Sequence, residues 1–212
     1  TVAPPGVDVD LLEGVTPMPR TALGVPDEGT LVACWGARHA TLDVIRALRA
    51  LAPIARRHPE LHVAVVGPAA RDEALRLHAS ALGLGRAASF HADEERAPRI
   101  MRAADLGWVA ASGDDAAFAT LQCMALGVPL VTPDAPWMRR LVDHDAAVVA
   151  ATDDAALGAA HVAGLLGDPA RRDAMAAAAR ERVAARFPAS VMIDGFEAAL
   201  RAAGDRAAWA TQ

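Results

Sequence analysis

Three polar side chains in one apolar stretch have the chemistry of a ligand site. Asp114 and Asp115 precede a segment, 116–126, whose apolar residues fit a helix, and Gln122 lies on that helix, eight residues after Asp114. That spacing returns a helix to nearly the same face. Carboxylates at such a junction accept hydrogen bonds from ligand hydroxyls, or they cap the helix and complement its dipole, worth about 1–2 kcal/mol. A glutamine on an apolar helix needs a hydrogen-bond partner, either a ligand or the backbone.

A second candidate is the loop GARHAT, residues 36–41, which follows a predicted strand. In doubly wound α/β folds, the turn between the first strand and the first helix commonly faces a phosphate, which the helix N–H groups bind. Arg38 supplies a bidentate phosphate contact there, or it is a solvated surface residue. Because Gly36 is the only glycine of the loop, the fingerprint of dinucleotide-binding proteins is absent.

The seven histidines and the arginine pair Arg139–Arg140 are weaker signals. His39 and His91 lie at predicted strand ends and act in acid–base chemistry or hydrogen bonding, or they are ordinary loop histidines. Arg139 and Arg140 follow Trp137 and bind phosphate or form a solvated face. No His-Glu-x-x-His spacing is present, and we predict no metal site.

The elements that must position these residues alternate between strand and helix along the chain. The predicted strands are 30–36, 61–67, 88–92, 106–111, 128–132 and 146–150. The predicted helices are 40–58, 70–83, 96–104, 116–126 and 137–143, followed by a helical region, 154–209, broken at Asp168-Pro169 and near Phe187-Pro188. This order predicts an α/β fold, a Rossmann-like parallel sheet of about six strands with helices on both faces. Ligands of such folds bind outside the carboxyl ends of the strands.

Composition narrows the class of protein. A chain of 212 residues with 53% hydrophobic and 22% charged residues can bury a core, and its apolar runs are too short to span a bilayer. With no signal peptide visible, we expect a cytoplasmic protein. The net charge of −5 argues against nucleic acid as a partner. Cys34 and Cys123 lie in apolar context and are expected to be buried free thiols.

The basic residues are of one type. All 21 are arginine, and the chain contains no lysine, asparagine or tyrosine. With so much alanine, this is a composition typical of a biased bacterial genome. It excludes any mechanism that requires a lysine from this chain.

An ordered series of segments resembles the C-terminal, donor-binding domain of the group 1 retaining glycosyltransferases, which have the GT-B fold. The series extends over nearly the whole chain: PPGVDVDLL (4–12), LVACWG (31–36), RHPELHVAVVG (57–67), ASFHADEERAPRIMRAADLGWVAAS (88–112), CMALGVPLVTPD (123–134) and LLGDPARRDAMAAAARERVAARF (165–187). The resemblance implies an interdomain lead-in over 1–29, a nucleotide-sugar-binding domain over 30–190, and a C-terminal helix over 191–212 that packs toward an N-terminal domain.

The resemblance also implies a ligand and residue roles. A nucleotide-diphosphate sugar is the donor substrate, no further cofactor or metal is required, and an acceptor binds a separate N-terminal domain absent from this chain. Gly36 and Arg38 then lie at the diphosphate, and Gln122 at the ribose. Asp114, or Asp115 in a shifted alignment, contacts the donor sugar, and Asp114 is the predicted catalytic residue. The backbone of His91 and Ala92 contacts the base.

This chain departs from the family pattern at its most polar positions. The family has an arginine, a lysine and a glutamate pair, where this chain has Arg38 one position late, no lysine, and Asp114 and Gln122. Two hypotheses follow: the donor half of a glycosyltransferase that is inactive by itself, or a degenerate, non-catalytic binding module. In either case we expect apolar residues of the last helix to be exposed and to self-associate, namely Val191, Phe196 and Leu200.

Overall fold

The six predicted strands form one parallel sheet. The computed structural model describes residues 4–26, 28–111, 114–135, 138–142, 145–150 and 154–209, without the side chains of Asp114, 148–150 and 204–209. The strands are β1 (Thr30–Gly36), β2 (Leu61–Val66), β3 (Ala88–His91), β4 (Leu106–Ala110), β5 (Leu130–Pro133) and β6 (Val148–Ala150). Their spatial order is β3-β2-β1-β4-β5-β6, and every pairing is parallel. The Rossmann-like architecture predicted from the alternation is confirmed.

Helices cover both faces of the sheet. They are α1 (Val9–Glu13), α2 (Thr41–Arg57), α3 (Glu73–Ala81), α4 (Ala97–Ala103), α5 (Asp114–Ala125), α6 (Met138–Leu141), α7 (Ala155–Leu166), α8 (Pro169–Arg186) and α9 (Ala189–Trp209). The helix α2 continues through Pro53 without a break. Short 3-10 turns occupy Arg20–Leu23 and Pro68–Arg71. Because the second turn comes first, α3 begins at Glu73, three residues later than predicted, with Asp72 as its N-cap.

Strand residues alternate between two cores, one on each face. On β1, Val32 and Cys34 join a core built with α2, α3 and α7, while Leu31 and Ala33 join one built with α4, α5 and α8. The strand β2 is buried throughout, which fits a strand covered on both faces. The face that carries α4 and α5 is the one that holds the candidate site.

The described residues before β1, where the resemblance implied an interdomain lead-in over 1–29, form regular structure. They contain α1 and a 3-10 turn, and they bury Leu12, Met18, Leu23 and Val25 in the α4–α5 core. The backbone N–H of Val7 donates to the Phe187 carbonyl at 2.9 Å, which joins the start of the chain to the end of α8. The division at residues 29 and 190 remains a prediction.

Within the described ranges, no helix combines the length and hydropathy needed to cross a bilayer.

Candidate functional site

A cavity of about 390 Å³ opens at the carboxyl ends of the strands, between α4 and α5. Its lining residues are Trp35, Ala37, Arg38, Pro68, Glu94, Ala97, Pro98, Met101, Asp115, Phe118, Ala119, Gln122, Cys123 and Leu126. They come from the loops that follow β1, β2 and β3 and from the two helices. This is the edge of the sheet where ligands of doubly wound folds bind.

The two helices present regular faces to the cavity. The α5 residues 115, 118, 119, 122 and 123, and Leu126 just after the helix, recur at the spacing of one helix face. Residues 97, 98 and 101 form the facing side on α4. Ala97 and Ala119 are small, which leaves a space between the helices instead of interlocking side chains. The cavity therefore extends along both helices, from their N-terminal ends down to Met101 and Leu126.

Four polar side chains line this cavity: Arg38, Glu94, Asp115 and Gln122. Each is exposed, and none makes a hydrogen bond or ion pair with another side chain in the described part of the chain. These groups are available to a ligand. The charges described here are one cation and two carboxylates, a weak match for a diphosphate on charge alone.

The structure places Arg38, Asp115 and Gln122 in the lining of one cavity. Their shared cavity is the observation on which a ligand site rests. Asp114 is the first residue of α5, and its side chain lies outside the described residues. The donor-sugar role predicted for Asp114 remains a prediction.

Gly36 lies at the end of β1 and is required by packing. A Cβ atom there would approach Val44 Cγ2 to 2.6 Å and Ala69 Cβ to 2.8 Å. The adjacent turn is held by Thr41, whose hydroxyl donates to an Asp72 carboxylate oxygen at 2.7 Å. This hydrogen bond is the main cause of the lowered pKa of Asp72, followed by the backbone N–H of Ala74. The turn that carries Arg38 is thus tied to the start of α3.

His91 and Ala92 lie beside the cavity and do not line it. The His91 carbonyl accepts the Gly67 N–H at 3.0 Å, so this oxygen already has a partner within the sheet. Ala92 lines a shallow neighbouring groove with Arg71, Asp93, Glu94 and Glu95. The base-contacting role predicted for this segment remains untested, and Glu94 links the groove to the cavity.

Two histidines share one serine hydroxyl behind this segment. His62 Nε2 lies 2.9 Å and His91 Nε2 2.8 Å from Ser89 Oγ. Burial is the main cause that lowers the pKa of both imidazoles, with a smaller effect of His91 on His62 and of Arg96 on His91. Neutral imidazoles fit this arrangement, because a hydroxyl donates to one ring nitrogen and accepts from the other.

Other predicted candidates have ordinary roles. Arg139 makes two hydrogen bonds to Asp134, at 2.9 and 2.8 Å, and is not free for a phosphate. Pro136, Trp137 and His144 lie outside the described residues. His39 is an exposed loop residue.

The two cysteines are buried free thiols, as predicted. Burial raises the pKa of Cys34 and of Cys123 to about 12, so both are protonated at neutral pH and unreactive as nucleophiles. Among the described residues, no group of three or more His, Cys, Asp or Glu side chains lies close enough to hold a metal ion.

Sequence reasoning missed Trp35, Glu94 and Phe118 as lining residues. Phe118 follows Asp115 by three positions and precedes Gln122 by four, so the helix spacing that linked the polar residues also pointed to it. Trp35 follows Leu31 and Ala33 at steps of two along β1, which places its side chain on the same face of the sheet as theirs. Glu94 carried no periodic signal, because it lies in a loop.

Comparisons with known proteins agree on one family. Residues 46–196 match the model of a family described as glycosyl transferase-like. The D-inositol 3-phosphate glycosyltransferase of Corynebacterium jeikeium (strain K411) is 31% identical over 143 residues, which are 61% of this chain and 34% of that protein. The chain therefore spans about a third of the length of this curated relative.

Solved structures agree on the fold. Anabaena Alr3699/HepE in complex with UDP and glucose superposes with a TM-score of 0.78 at 19% identity, over 92% of this chain and 55% of that one. The C-terminal domain of the group 1 glycosyl transferase LpcC from Francisella tularensis superposes with a TM-score of 0.71 at 19% identity, over 86% of this chain and 99% of that one. This chain thus covers about half of the Anabaena chain and nearly all of the isolated Francisella domain.

Proposed function

We propose that this chain, which belongs to the glycosyl transferase-like family and has the fold of a GT-B C-terminal domain, is the donor-binding half of a nucleotide-sugar-dependent glycosyltransferase. The observation that carries the proposal is the shared cavity of Arg38, Asp115 and Gln122 at the carboxyl ends of the strands. The Anabaena relative holds UDP and glucose, which supports a nucleotide sugar as the ligand here.

Arg38, Gln122 and an aspartate then each have a defined task. Arg38 donates two hydrogen bonds to the donor phosphates, the bidentate contact that a guanidinium makes best. Gln122 hydrogen-bonds the ribose hydroxyls through its amide. Asp114 or Asp115 accepts hydrogen bonds from the hydroxyls of the donor sugar. These contacts position the anomeric carbon, and they stabilise the departing nucleotide through Arg38.

The reaction we propose is transfer of the sugar with retention of configuration to an acceptor that a separate N-terminal domain binds. The nucleotide sugar is a substrate, and we propose that its transfer requires no metal ion. Because this chain holds only the donor side, we expect the 212 residues by themselves not to transfer sugar. Turnover of any nucleotide sugar by the isolated chain would contradict that expectation.

One observation favours a second candidate, a non-catalytic module that retains the fold. The cavity has a single described cation and two carboxylates, and the chain contains no lysine. One charge-assisted hydrogen bond contributes about 1.5–3 kcal/mol, so the loss of a phosphate-binding lysine weakens diphosphate binding. A binding module without turnover tolerates that loss, since a fold does not by itself establish an activity.

Thermal unfolding with and without ligand tests the donor site. A ligand that binds only the folded chain raises its Tm by mass action, so UDP-, GDP- or ADP-sugars at millimolar concentration are expected to stabilise the wild-type chain. Arg38→Ala and Gln122→Ala are expected to lose that shift. Arg86→Ala, at an exposed arginine outside the cavity, is the matched control and is expected to keep it. Equal Tm shifts in all three variants would show that the ligand binds outside the cavity.

A second assay separates the two candidates. If the isolated chain binds a nucleotide sugar, it is combined with an acceptor domain fused or supplied separately, and release of the nucleotide is measured. Release that is lost in Arg38→Ala supports the enzyme. Binding without release supports the non-catalytic module.

A further inference from the structure

An aromatic ring forms part of the cavity floor. Trp35 follows Leu31 and Ala33 at steps of two along β1, so its indole lies on the sheet face that carries α4 and α5. It packs against the core of that face and stays partly exposed to the cavity. The polar contacts assigned above leave this ring unused.

The indole is held in place by a backbone turn. A Cβ atom on Gly67 would lie 3.1 Å from Trp35 Nε1 and 2.9 Å from the Gly36 carbonyl oxygen. Gly67 has φ +95°, a backbone conformation that favours glycine. The Gly67 N–H in turn donates to the His91 carbonyl at 3.0 Å. The ring therefore lies beside the backbone at the ends of β1 and β2.

The two helices leave the ring accessible. Ala97 and Ala119 are the small residues that line the cavity from the two sides, and Phe118, 42% exposed, lies on the α5 side. The chain has only four tryptophans, four phenylalanines and no tyrosine. Two of these eight aromatic residues line this one cavity, which otherwise has aliphatic and polar walls.

We infer that Trp35 is a specificity-determining residue: the nucleobase of the donor enters the cavity between α4 and α5 and stacks on its indole. The inference rests on the proposed function. Trp35, Gln122 and Arg38 line the same cavity, so one nucleotide can contact all three. Stacking accepts any base face. Trp35 therefore selects a nucleotide-linked sugar over a simple sugar phosphate, without selecting the identity of the base.

Two ligands that differ only by the base test this role. Uridine 5′-monophosphate and ribose 5-phosphate share a ribose and a phosphate, and only the first has a base to stack. Binding of each to the 212-residue chain is measured by NMR titration, for the wild type, Trp35→Leu and Phe90→Leu. Phe90 is the matched control because its ring lies outside the cavity, 4.9 Å from the Arg76 guanidinium.

We expect the Trp35 substitution to weaken the binding of only one of the two ligands. Trp35→Leu weakens binding of uridine monophosphate about 5- to 150-fold, the effect of one base–aromatic stack, and leaves ribose 5-phosphate unchanged. Phe90→Leu matches the wild type for both ligands. Uridine monophosphate also quenches tryptophan fluorescence in the wild type and in Phe90→Leu, but not in Trp35→Leu.

A second variant covers the case in which Trp35→Leu does not fold. Ala119→Leu keeps the indole and narrows the cavity that both residues line, and it is expected to weaken uridine monophosphate selectively as well. Equal effects of either variant on both ligands, or uridine monophosphate binding within about twofold of the Phe90→Leu control, would overturn the inference while the proposed function stands. A wild-type chain that binds a nucleotide sugar but neither of these ligands would overturn the inference alone, and a chain that binds none of them would contradict the proposed function as well.

Discussion

The Arg20 guanidinium donates to the Asp105 carboxylate at 2.8 Å and thereby fastens the start of the chain to the sheet. The same guanidinium donates to the carbonyls of Gly29 and Ala103 at 2.9 and 3.0 Å. The second oxygen of Asp105 accepts the backbone N–H of Leu31 at 2.8 Å. One arginine therefore satisfies acceptors before β1, at the end of α4 and beside β4.

Arg20→Ala is expected to destabilise the fold. The substitution leaves the part-buried Asp105 and two carbonyls without their donor, so we expect the free energy of unfolding to fall by about 2–3 kcal/mol. Arg20→Lys is expected to recover only part of this, because an ammonium lacks the planar fork that reaches three acceptors. Urea denaturation measures both.

A surface ion pair provides the control for this prediction. Arg46 and Asp43 form a pair at 3.0 Å on the exposed side of α2. Arg46→Ala is expected to change stability by less than about 0.5 kcal/mol. An Arg20→Ala effect as small as that of Arg46→Ala would show that the lead-in contributes little to the domain.

The lead-in also contains a helix, α1, that the sequence did not predict. The alternation of strands and helices predicted all six strands, because each is a short apolar run bounded by turn residues. The five-residue helix α1 has no such signal, being too short to be stable without tertiary contacts. Its Leu12 is buried in the core shared with α4 and α5, a contact between distant parts of the chain that no local pattern reveals.

Two glycine substitutions are expected to have opposite effects. At Gly36, an added Cβ meets Val44 and Ala69 at 2.6 and 2.8 Å, so Gly36→Ala is expected to cost about 1–3 kcal/mol through overpacking. At Gly164, on an exposed part of α7, a Cβ meets no atom within 4 Å. Gly164→Ala is expected to stabilise the chain by about 0.5–1 kcal/mol through helix propensity. Thermal melts that rank the two variants in the reverse order would contradict this packing.

The pair of histidines on Ser89 predicts a pH dependence of stability. Burial lowers the pKa of His62 and His91 in the folded chain below the ordinary value of 6.5. Well above pH 6.5, both histidines are neutral in the folded and in the unfolded chain, so their contribution to the free energy of unfolding is fully present. As the pH falls below 6.5, the unfolded chain binds protons that the folded chain does not, so the free energy of unfolding decreases.

Glutamine variants isolate this contribution. His62→Gln and His91→Gln are expected to lose less stability than the wild type between pH 7.5 and pH 5.5 in urea denaturation. His39→Gln, at an exposed loop position, is the control and is expected to follow the wild type. An identical pH dependence in all four proteins would refute the assignment.

The part of the candidate site that lies on α5 could be predicted from helix periodicity. Asp115 and Gln122 lie on the same face of α5, and Arg38 follows the first strand, where doubly wound folds bind phosphate. Trp35 and Glu94 were not predictable in this way. Their place in the cavity depends on the gap between α4 and α5, which small residues on both helices set and which no pattern within a single element encodes.

Exposed apolar residues on α9 predict self-association. Val191, Phe196 and Leu200 are 39%, 56% and 71% exposed, which confirms the predicted exposure and leaves self-association as a proposal. Sedimentation is expected to show an average mass that rises with concentration, because association buries this surface. Phe196→Ser with Leu200→Ser is expected to abolish the rise. A wild-type chain that stays monomeric over the same range would contradict the proposal.

Calorimetric titration of the wild-type chain with UDP-, GDP- and ADP-sugars tests the central claim most directly. The account predicts micromolar binding of at least one of them, with that affinity lost in Arg38→Ala and retained in Arg86→Ala. Millimolar or undetectable binding of all three would contradict a working donor site in the cavity between α4 and α5.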